Sequence, residues 1–425
     1  MASGISSIFR KYSFVIVLLA ILAIAGCVSP PEEKPEGVTP TEVTEVKIGS
    51  LLPITGDLAQ FGGPMEDAAK LAIKEVNENG GVLGAKIKLI TEDSQTSETA
   101  AADAMNKLVK VDKVPAVIGG AGSGISMAMI SIAINNEVVQ ISPASTSPDF
   151  TTYPDQDFFF RTAPSDALQG KAMAKLAIKE GYKNVSTFVI NNPYGTGFEK
   201  VFIEEFEKLD GKVINTVRYD AAAVTFDSEV AKASEGNPEV IMLVSYPETG
   251  SLILKTAYEK GVMENTKWLL SEGLRSDDLA EMVGKDEKGK YIIAGFKGTT
   301  PDPRVTGPAY ENFKNAYEKE YGRKVTTFCS NTYDAAAIIA LAIEKAGKAS
   351  GPAIRDAIRE VANPPGTEVT DLGEALKLIR EGKDINYQGA SGEITFDENG
   401  DVSGRYSEWQ IAENGSAELG EPIVI

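Results

Sequence analysis

The stretch AVIGGAGSGISMAMISIAINNEVVQISPASTSPDF, residues 116–150, has the pattern strand, turn, helix, strand, turn. Its two turns, 119–124 and 142–146, consist mainly of small and hydroxyl-bearing residues. In a parallel sheet both turns would leave the same edge, at the carboxyl ends of the strands, where open α/β sheets bind their ligands. The first turn also leads into a helix N-terminus, so this edge is predicted to hold a small anion such as a carboxylate.

The composition of the chain restricts its function. Its 425 residues are enough for two or three domains. The net charge of −19 argues against a nucleic-acid partner, which needs a basic face. The chain has no histidine, the commonest general base and metal ligand, which argues against a hydrolase or a zinc enzyme. Its two cysteines, Cys27 and Cys329, are too few for a disulfide framework.

The N-terminus has the features of an export signal. Two basic residues precede an apolar run at 14–25, which is shorter than the roughly 20 residues that span a bilayer and suits a secretory signal core. The run ends in Ala25-Gly26-Cys27, and small residues directly before a cysteine resemble the lipobox of exported lipoproteins. The resemblance implies a signal peptide of residues 1–26, cleavage before Cys27 and diacylglycerol on its sulfur. The alternative is an ordinary signal peptide with an incidental cysteine.

Residues 27–45 are rich in proline, threonine and glutamate and contain few apolar side chains. Such a segment cannot build a core and is typical of a solvated tether. It would hold the folded part of the chain, which begins near Val46, away from a membrane. The sequence therefore predicts an extracytoplasmic protein, periplasmic or on the cell surface, anchored to the cell membrane by lipid on Cys27.

Beyond the tether, short apolar runs alternate with amphipathic helical patterns, first as far as residue 162 and again from 163 to 299. This repeated alternation predicts an α/β protein with two doubly wound lobes. Later helical patterns indicate that the chain then crosses back to the first lobe. Near the end, runs at 392–396 and 405–411 flank an Asn-Gly pair and predict a hairpin, followed by a loose tail.

A set of short motifs, in a fixed order, covers nearly the whole chain after Glu45. The motifs are Thr55-Gly56 with Gln60-Phe61-Gly62, the run 72–77 with Gly80-Gly81, Val117-Ile118-Gly119, the runs 141–148 and 160–165, Tyr194-Gly195-Thr196-Gly197, Tyr246-Pro247-Glu248, Ser271-Glu272-Gly273 and Gly389-Ala390-Ser391-Gly392. No single motif is specific. The ordered set resembles the type I periplasmic-binding-protein family, in particular the solute-binding component of branched-chain amino-acid (Leu/Ile/Val-type) ABC transporters.

The resemblance implies two Rossmann-like lobes that are joined by three crossover segments and close over a ligand by a hinge. The predicted limits are 46–162 plus 300–387 for lobe 1 and 163–299 plus 388–425 for lobe 2. The crossings are placed near residues 161–164, 298–301 and 386–390.

The resemblance also implies an amino-acid site with members from both lobes. The α-carboxylate would be bound by the Ser123 hydroxyl, the Thr146 N–H and Tyr246. The ammonium would be bound by Glu272, the Ala144 carbonyl and the Thr146 hydroxyl. A buried zwitterion needs donors at its negative end and a compensating acceptor at its positive end, because desolvation would otherwise forbid binding. This set of residues supplies both.

Phe61 and Tyr194 would form the walls of the side-chain pocket. The implied ligand is a small amino acid, branched-chain or otherwise aliphatic, which the protein would deliver to an ABC transporter permease in the membrane. Two departures from the family pattern leave the side-chain preference open. They are Phe61, where a larger aromatic is expected, and the glycine-rich turn 119–124, where more hydroxyls are expected.

Each of these residues also has a structural interpretation. The turn 119–124 lacks G-x-G-x-x-G spacing and the next strand ends in Ser142 instead of an acid, which argues against a dinucleotide site. A purely structural glycine turn stays open. Glu272 could be a surface carboxylate, the hydroxyl-bearing residues could be helix caps, and the tyrosines could be core or rim aromatics.

Two other functions remain as alternatives. The same fold could serve as a sensor or carrier for amides, urea or small aromatic or carboxylic acids, and such ligands have no ammonium for Glu272. An enzyme is the third possibility, but the chain shows no acid–base constellation, so no catalysis is predicted. No cofactor or metal is expected either. A solvated hairpin turn explains the acids within 397–401 better than a calcium site does.

Overall fold

The computed structural model describes residues 45–302, 304 and 307–425. The predicted signal peptide, Cys27 and the tether as far as residue 44 lie outside these residues. Within the described part, no helix has both the length and the apolar character needed to cross a membrane.

The first sheet contains five parallel strands, namely β1 (Glu45–Leu52), β2 (Lys86–Asp93), β3 (Ala116–Gly119), β4 (Val139–Ser142) and β5 (Phe159–Arg161). Their order across the sheet is β2-β1-β3-β4-β5. The connecting helices are α1 (Ala59–Glu78), α2 (Glu98–Lys107) and α3 (Ser123–Asn135). Strands β3 and β4 are buried along their whole length, as expected for parallel strands covered by helices on both faces.

A second α/β block follows. Its helices are α4 (Asp166–Lys179), α5 (Pro193–Lys208), α6 (Asp227–Ser234), α7 (Pro247–Glu259) and α8 (Leu279–Val283). Its strands are β6 (Asn184–Ile190), β7 (Lys212–Tyr219), β8 (Val240–Val244), β9 (Lys267–Leu270) and β10 (Lys297–Pro301). All five strands run parallel to their neighbours within this block. The second block therefore repeats the construction of the first.

The chain then returns to the first sheet. The returning elements are α9 (Pro308–Tyr321), α10 (Cys329–Ala346), α11 (Gly351–Ala362), β11 (Thr367–Val369), α12 (Leu372–Arg380) and β12 (Ile385–Tyr387). Side chains of α9 to α12 pack in the same hydrophobic core as β1 and α1. We call the first sheet with α1–α3 and α9–α12 the first lobe, and the second sheet with α4–α8 the second lobe. This architecture confirms the predicted α/β fold with two doubly wound lobes.

The last two strands, β13 (Tyr406–Ile411) and β14 (Ala417–Ile423), complete the second sheet in the order β14-β13-β10-β9-β8-β6-β7. Strand β13 pairs antiparallel with β10 and with β14. The predicted hairpin of 392–396 with 405–411 is wrong, because the first run contributes only two isolated bridges, Glu393 with Gln388 and Phe396 with Val402. The tail is a strand and not loose. Its sequence, AELGEPI, alternates too little in polarity to reveal this.

The third crossing between the lobes does not lie at the predicted position near 386–390. Ile394, Phe396 and Val402 still pack in the first core, and the chain joins the second sheet only at Tyr406. Asp334 on α10 supplies the reason. Its carboxylate accepts hydrogen bonds from the backbone N–H groups of Ala390 and Ser391, at 2.9 and 2.7 Å, and so holds this segment against the first lobe.

Three segments that read as loops in the sequence are helix N-termini. Helix α1 begins before Pro64, while α5 and α7 begin at Pro193 and Pro247. Proline suits the first helical position because the N–H it lacks would have no partner there. Gly62 lets α1 start early, since a Cβ at this position would lie 1.8 Å from a backbone oxygen of the preceding loop. The side chains at these sheet edges therefore project from first helical turns.

Candidate functional site

Six of the seven predicted site residues line one cavity between the two lobes. They are Phe61, Ser123, Ala144, Tyr194, Tyr246 and Glu272. The first three belong to the first lobe and the other three to the second. The remaining walls are formed by Leu58, Met65, Ala121, Gly122, Gly273 and Phe328. This cleft cavity has an empty volume of about 370 Å³, part of which is open to solvent.

One end of the cleft cavity is suited to an anion. Ser123 is the first residue of α3, a helix of 13 residues, and is buried. The N-terminus of such a helix carries a partial positive charge and N–H groups without intrahelical partners. The Ser123 hydroxyl also accepts a hydrogen bond from the Ser147 N–H at 3.2 Å, which links the turn after β3 to the turn after β4.

Buried hydroxyls hold these two turns in place. The Ser142 hydroxyl donates to the Gly120 carbonyl at 2.6 Å, and the Ser145 hydroxyl lies 3.2 Å from the Ala121 carbonyl. Ser126 and Ser145 are joined through their hydroxyl oxygens at 2.8 Å. Because buried backbone carbonyls need hydrogen-bond donors, the small hydroxyl residues of this region have a structural role as well as a place beside the cavity.

Thr146 does not line the cavity. Its hydroxyl donates to Asp166 Oδ2 at 2.7 Å, and its carbonyl accepts from the Asp166 N–H at 2.8 Å. The hydroxyl hydrogen is thus engaged by a neighbouring carboxylate, while the oxygen keeps lone pairs that can still accept a hydrogen bond. Asp166, the first residue of α4, is fully buried and was not predicted.

The opposite end of the cavity is acidic. Glu272 lies two residues after the end of β9 and is buried, and its Oε2 accepts from Gln169 Nε2 at 2.7 Å. Burial raises the pKa of Glu272 to about 7. Burial, and then the neighbouring Glu272 charge, raises the pKa of Asp166 well above its ordinary value. Two carboxyl groups in one low-dielectric region disfavour a second negative charge, so an incoming cation would be stabilised here.

Two buried oxygens near Glu272, Asp166 Oδ1 and Gln169 Oε1, make no hydrogen bond within the described part of the chain. Buried polar atoms are nearly always paired in folded proteins, so these two atoms stand out, although neither residue lines the cavity itself. No group of three or more metal-ligating side chains occurs among the described residues. An ammonium group matches the acceptors that are present.

The middle of the cavity is apolar and aromatic. The Tyr246 hydroxyl accepts from Asn192 Nδ2 at 3.2 Å, beside the ring of Tyr194. Phe328, directly before α10, closes another wall and was not predicted. Its backbone is left-handed, with φ of 66°, which is unusual for a bulky residue and has no local sequence signal.

Known proteins are similar to this chain over most of its length. The chain matches a family model described as periplasmic binding protein over residues 45–397. It is 25% identical to the chemotactic signal transduction system substrate-binding protein BasB of Halobacterium salinarum, covering 82% of this chain and 83% of that protein. It is 27% identical to the leucine-, isoleucine-, valine-, threonine-, and alanine-binding protein of Pseudomonas aeruginosa, covering 84% of this chain and 90% of that protein.

Solved structures share the architecture. The leucine binding protein LivK of Thermotoga maritima is 29% identical with a TM-score of 0.75, over 89% of this chain and 98% of that one. A solute binding protein of an ABC transporter from Rhodopseudomonas palustris, in complex with 3,4-dihydroxy benzoic acid, is 20% identical with a TM-score of 0.71. The match covers 89% of this chain and 96% of that one. At that identity the second likeness concerns the fold alone.

Proposed function

The chain belongs to the periplasmic binding protein family and has its type I fold, and from this premise we propose that it captures a small amino acid, branched-chain or otherwise aliphatic, and delivers it to an ABC transporter permease. Its relatives are solute-binding proteins, and we propose no catalytic step. One observation carries the proposal. Ser123 at a helix N-terminus of the first lobe and Glu272 after β9 in the second lobe line the same cavity.

In this proposal the α-carboxylate of the ligand binds at the N-terminus of α3. It accepts from the Ser123 hydroxyl and from Tyr246, while the helix dipole favours its charge. The ammonium lies between the Glu272 carboxylate and the Ala144 carbonyl. Thr146 contributes its backbone N–H to the carboxylate, and its hydroxyl oxygen, which donates to Asp166, can still accept from the ammonium. Charge-assisted hydrogen bonds at both ends compensate for the desolvation of the zwitterion.

The ligand side chain would occupy the apolar part of the cavity, among Leu58, Phe61, Met65, Tyr194 and Phe328. Removing an aliphatic side chain from water contributes roughly 25 cal/mol for each Å² of apolar surface. These walls offer no charged partner to a side chain. An uncharged aliphatic side chain therefore fits them better than an acidic or basic one.

Membership in this family implies that the protein acts outside the cytoplasm. We propose further that Cys27 becomes the N-terminal residue and carries a lipid, so that the segment 27–45 tethers the folded part to the cell membrane. Mass spectrometry of the mature N-terminal peptide tests this, and a diacylglycerol on the Cys27 sulfur is the expected result. A mature chain that begins elsewhere would exclude the anchor and leave the binding proposal unchanged.

A ligand screen tests the function itself. Small molecules that co-purify with the protein are identified by mass spectrometry, and thermal unfolding is then recorded with L-leucine, L-isoleucine, L-valine, urea, propionamide and benzoate. A ligand that binds only the folded state raises the melting temperature, by an amount that grows with the logarithm of its concentration relative to Kd. We expect the amino acids alone to do so. Stabilisation by benzoate or propionamide without stabilisation by any amino acid contradicts the proposal.

A second function is a sensor or carrier for amides, urea or small aromatic acids. The raised pKa of Glu272 favours this function. Because burial raises this pKa to about 7, the side chain can be protonated near neutral pH and can then donate a hydrogen bond to a carboxylate or an amide carbonyl. The two functions differ in pH dependence. Benzoate binding to a protonated Glu272 would strengthen below pH 7, whereas binding of an amino acid to ionised Glu272 would weaken there.

A further inference from the structure

The segment between β1 and α1 reaches from the first lobe to α7 of the second. Asp57 lies in this segment, and its carboxylate accepts two hydrogen bonds from Thr249. The backbone N–H of Thr249 donates to Oδ1 at 2.9 Å, and the Thr249 hydroxyl donates to Oδ2 at 2.9 Å. Both bonds cross from one lobe to the other.

Helix α7 does not cap its own N-terminus. Tyr246 occupies the N-cap position and makes no side-chain capping bond. The first N–H groups of a helix have no intrahelical acceptor, and Thr249, the third residue of α7, carries one of them. An aspartate carboxylate normally accepts this N–H from the N-cap position of the same helix. Here Asp57 does so from the other lobe, at the positive end of the helix dipole.

A second contact lies beside the first. Gln60, at the start of α1, accepts a hydrogen bond from the hydroxyl of Ser276 in the second lobe. The next residue in the chain, Phe61, lines the cleft cavity, as does Tyr246 at the start of α7. The contact between Asp57 and α7 therefore brings two walls of the cavity together. Asp57 itself does not line the cavity.

We propose that Asp57 is a latch that holds the lobes closed by capping α7 across the cleft. The proposal rests on the proposed function for the identity of the molecule that closure retains. When the lobes separate, α7 loses its cap and the Thr249 N–H returns to water. Asp57 is thus a positioning residue that governs how long a ligand stays bound, while the residues of the cavity govern which ligand binds.

The first test measures release of L-leucine by stopped-flow fluorescence from wild type, Asp57→Ala and Thr55→Ala. Thr55 is the matched control, because it lies in the same segment but its hydroxyl bonds to Asp93 within the first lobe, at 2.7 Å. A hydrogen bond to a charged group predicts release at least about fivefold faster for Asp57→Ala, with association changed less. Thr55→Ala should stay within about twofold of wild type.

A double variant tests the specific contact. Thr249→Val removes the donor hydroxyl but keeps the N–H, so it should accelerate release less than Asp57→Ala. Thr249→Val also removes contacts of the hydroxyl with Tyr219 and Ser245 inside the second lobe, so the double-mutant cycle is the measure. The two effects should be less than additive, since both substitutions remove the contact between Asp57 and Thr249. Additive effects of the two substitutions would overturn the latch.

The second test needs no ligand. The Thr249 amide donates to Asp57 in the structure, so Asp57→Ala should accelerate hydrogen exchange of this amide at least about fivefold. The Gly250 amide, which donates to the Tyr246 carbonyl at 2.8 Å within α7, is the internal control. Equal exchange at Thr249 in both proteins overturns the proposal. If wild type binds no amino acid, the proposed function fails, whereas this exchange measurement still decides the latch.

Discussion

The rings of Tyr194 and Tyr246 lie parallel, with centroids 5.6 Å apart and an angle of 5° between their planes. They face each other because α5 and α7 begin at the same edge of the second sheet. Asn192, the N-cap of α5, also donates to the Tyr246 hydroxyl. Tyr194 and Asn192 together set the orientation in which Tyr246 enters the cleft cavity.

This stacking predicts the effect of changing Tyr194. Aromatic pairs contribute roughly 0.5–1.5 kcal/mol beyond burial of their surface, so Tyr194→Leu should weaken L-leucine binding about 2- to 10-fold. Tyr194→Phe keeps the ring and should bind nearly as wild type. Isothermal titration calorimetry measures both. Equal affinities for Tyr194→Leu and Tyr194→Phe would show that the ring does not orient Tyr246.

Replacing Glu272 should affect amino-acid ligands above all. Glu272→Gln keeps the shape and removes the charge, and the lost charge-assisted hydrogen bond should weaken L-leucine binding at least about tenfold. The exposed Glu264 gives a matched control, since Glu264→Gln removes the same charge from the surface of the second lobe. Unchanged affinity of Glu272→Gln in calorimetry would remove Glu272 from the ammonium site.

Amino-acid binding should depend on pH through the same residue. Burial raises the pKa of Glu272 to about 7 in the ligand-free protein, and a bound ammonium would lower this pKa by favouring the ionised form. Binding should therefore release a proton below pH 7, and affinity should fall by up to about tenfold for each pH unit below that value. Titrations between pH 5 and pH 8 measure this. A flat profile would mean that Glu272 does not titrate on binding.

Stability of the ligand-free protein should show the opposite trend. A folded-state pKa near 7 lies above the ordinary 4.5, so the contribution of Glu272 to stability is present at low pH and is lost as pH rises towards 7. At pH 8, Glu272→Gln should raise the free energy of unfolding by up to about 3 kcal/mol, with little change at pH 4. Urea unfolding at both pH values provides the measurement. If Glu272→Gln changed the free energy of unfolding equally at pH 4 and pH 8, the raised pKa of Glu272 would be contradicted.

A buried ion pair joins two of the segments that connect the lobes. Arg161, at the end of β5, donates to Asp401 from Nε at 2.5 Å and from Nη2 at 2.7 Å, and to the Ser147 carbonyl at 2.7 Å. The expectation that the acids within 397–401 are solvated is therefore wrong for Asp401. The sequence offers no sign of this pair, because its members are 240 residues apart.

Asp401→Ala would leave the Arg161 guanidinium buried and unpaired, which costs about 3–5 kcal/mol of unfolding free energy. Glu398 is exposed in the same turn, so Glu398→Ala should lower the free energy of unfolding far less. The double variant Arg161→Met/Asp401→Ala should recover part of the loss. Urea unfolding tests all three, and equal losses for Asp401→Ala and Glu398→Ala would contradict the role of the pair.

The sequence was informative where a residue lies in the turn that follows a buried strand. Ser123 and Glu272 could be placed in the cleft because the apolar runs before them define the carboxyl edges of both sheets. Phe328 could not, since its position depends on the return of the chain from the second lobe. Asp57 could not either, because the N–H it caps lies 192 residues away and local patterns do not report such pairs.

Helix starts show a different limit. The segments around Tyr194 and Tyr246 contain proline and glycine, which favour loops in a local reading. Their prolines in fact occupy first helical positions, where proline is also common. The two interpretations can be separated only when the strand before the segment and the helix after it are known to pack together. That information comes from the tertiary structure.

Strand β14 has a consequence for handling the protein. It is the edge strand of the seven-stranded sheet and covers β13, which would otherwise be the edge and would present a row of unpaired N–H and C=O groups. Charge and a proline on β14 itself, at Glu421 and Pro422, discourage pairing with another chain. A chain shortened before Ala417 would lose this protection and is expected to aggregate, so an affinity tag belongs after Ile425 with the last strand intact.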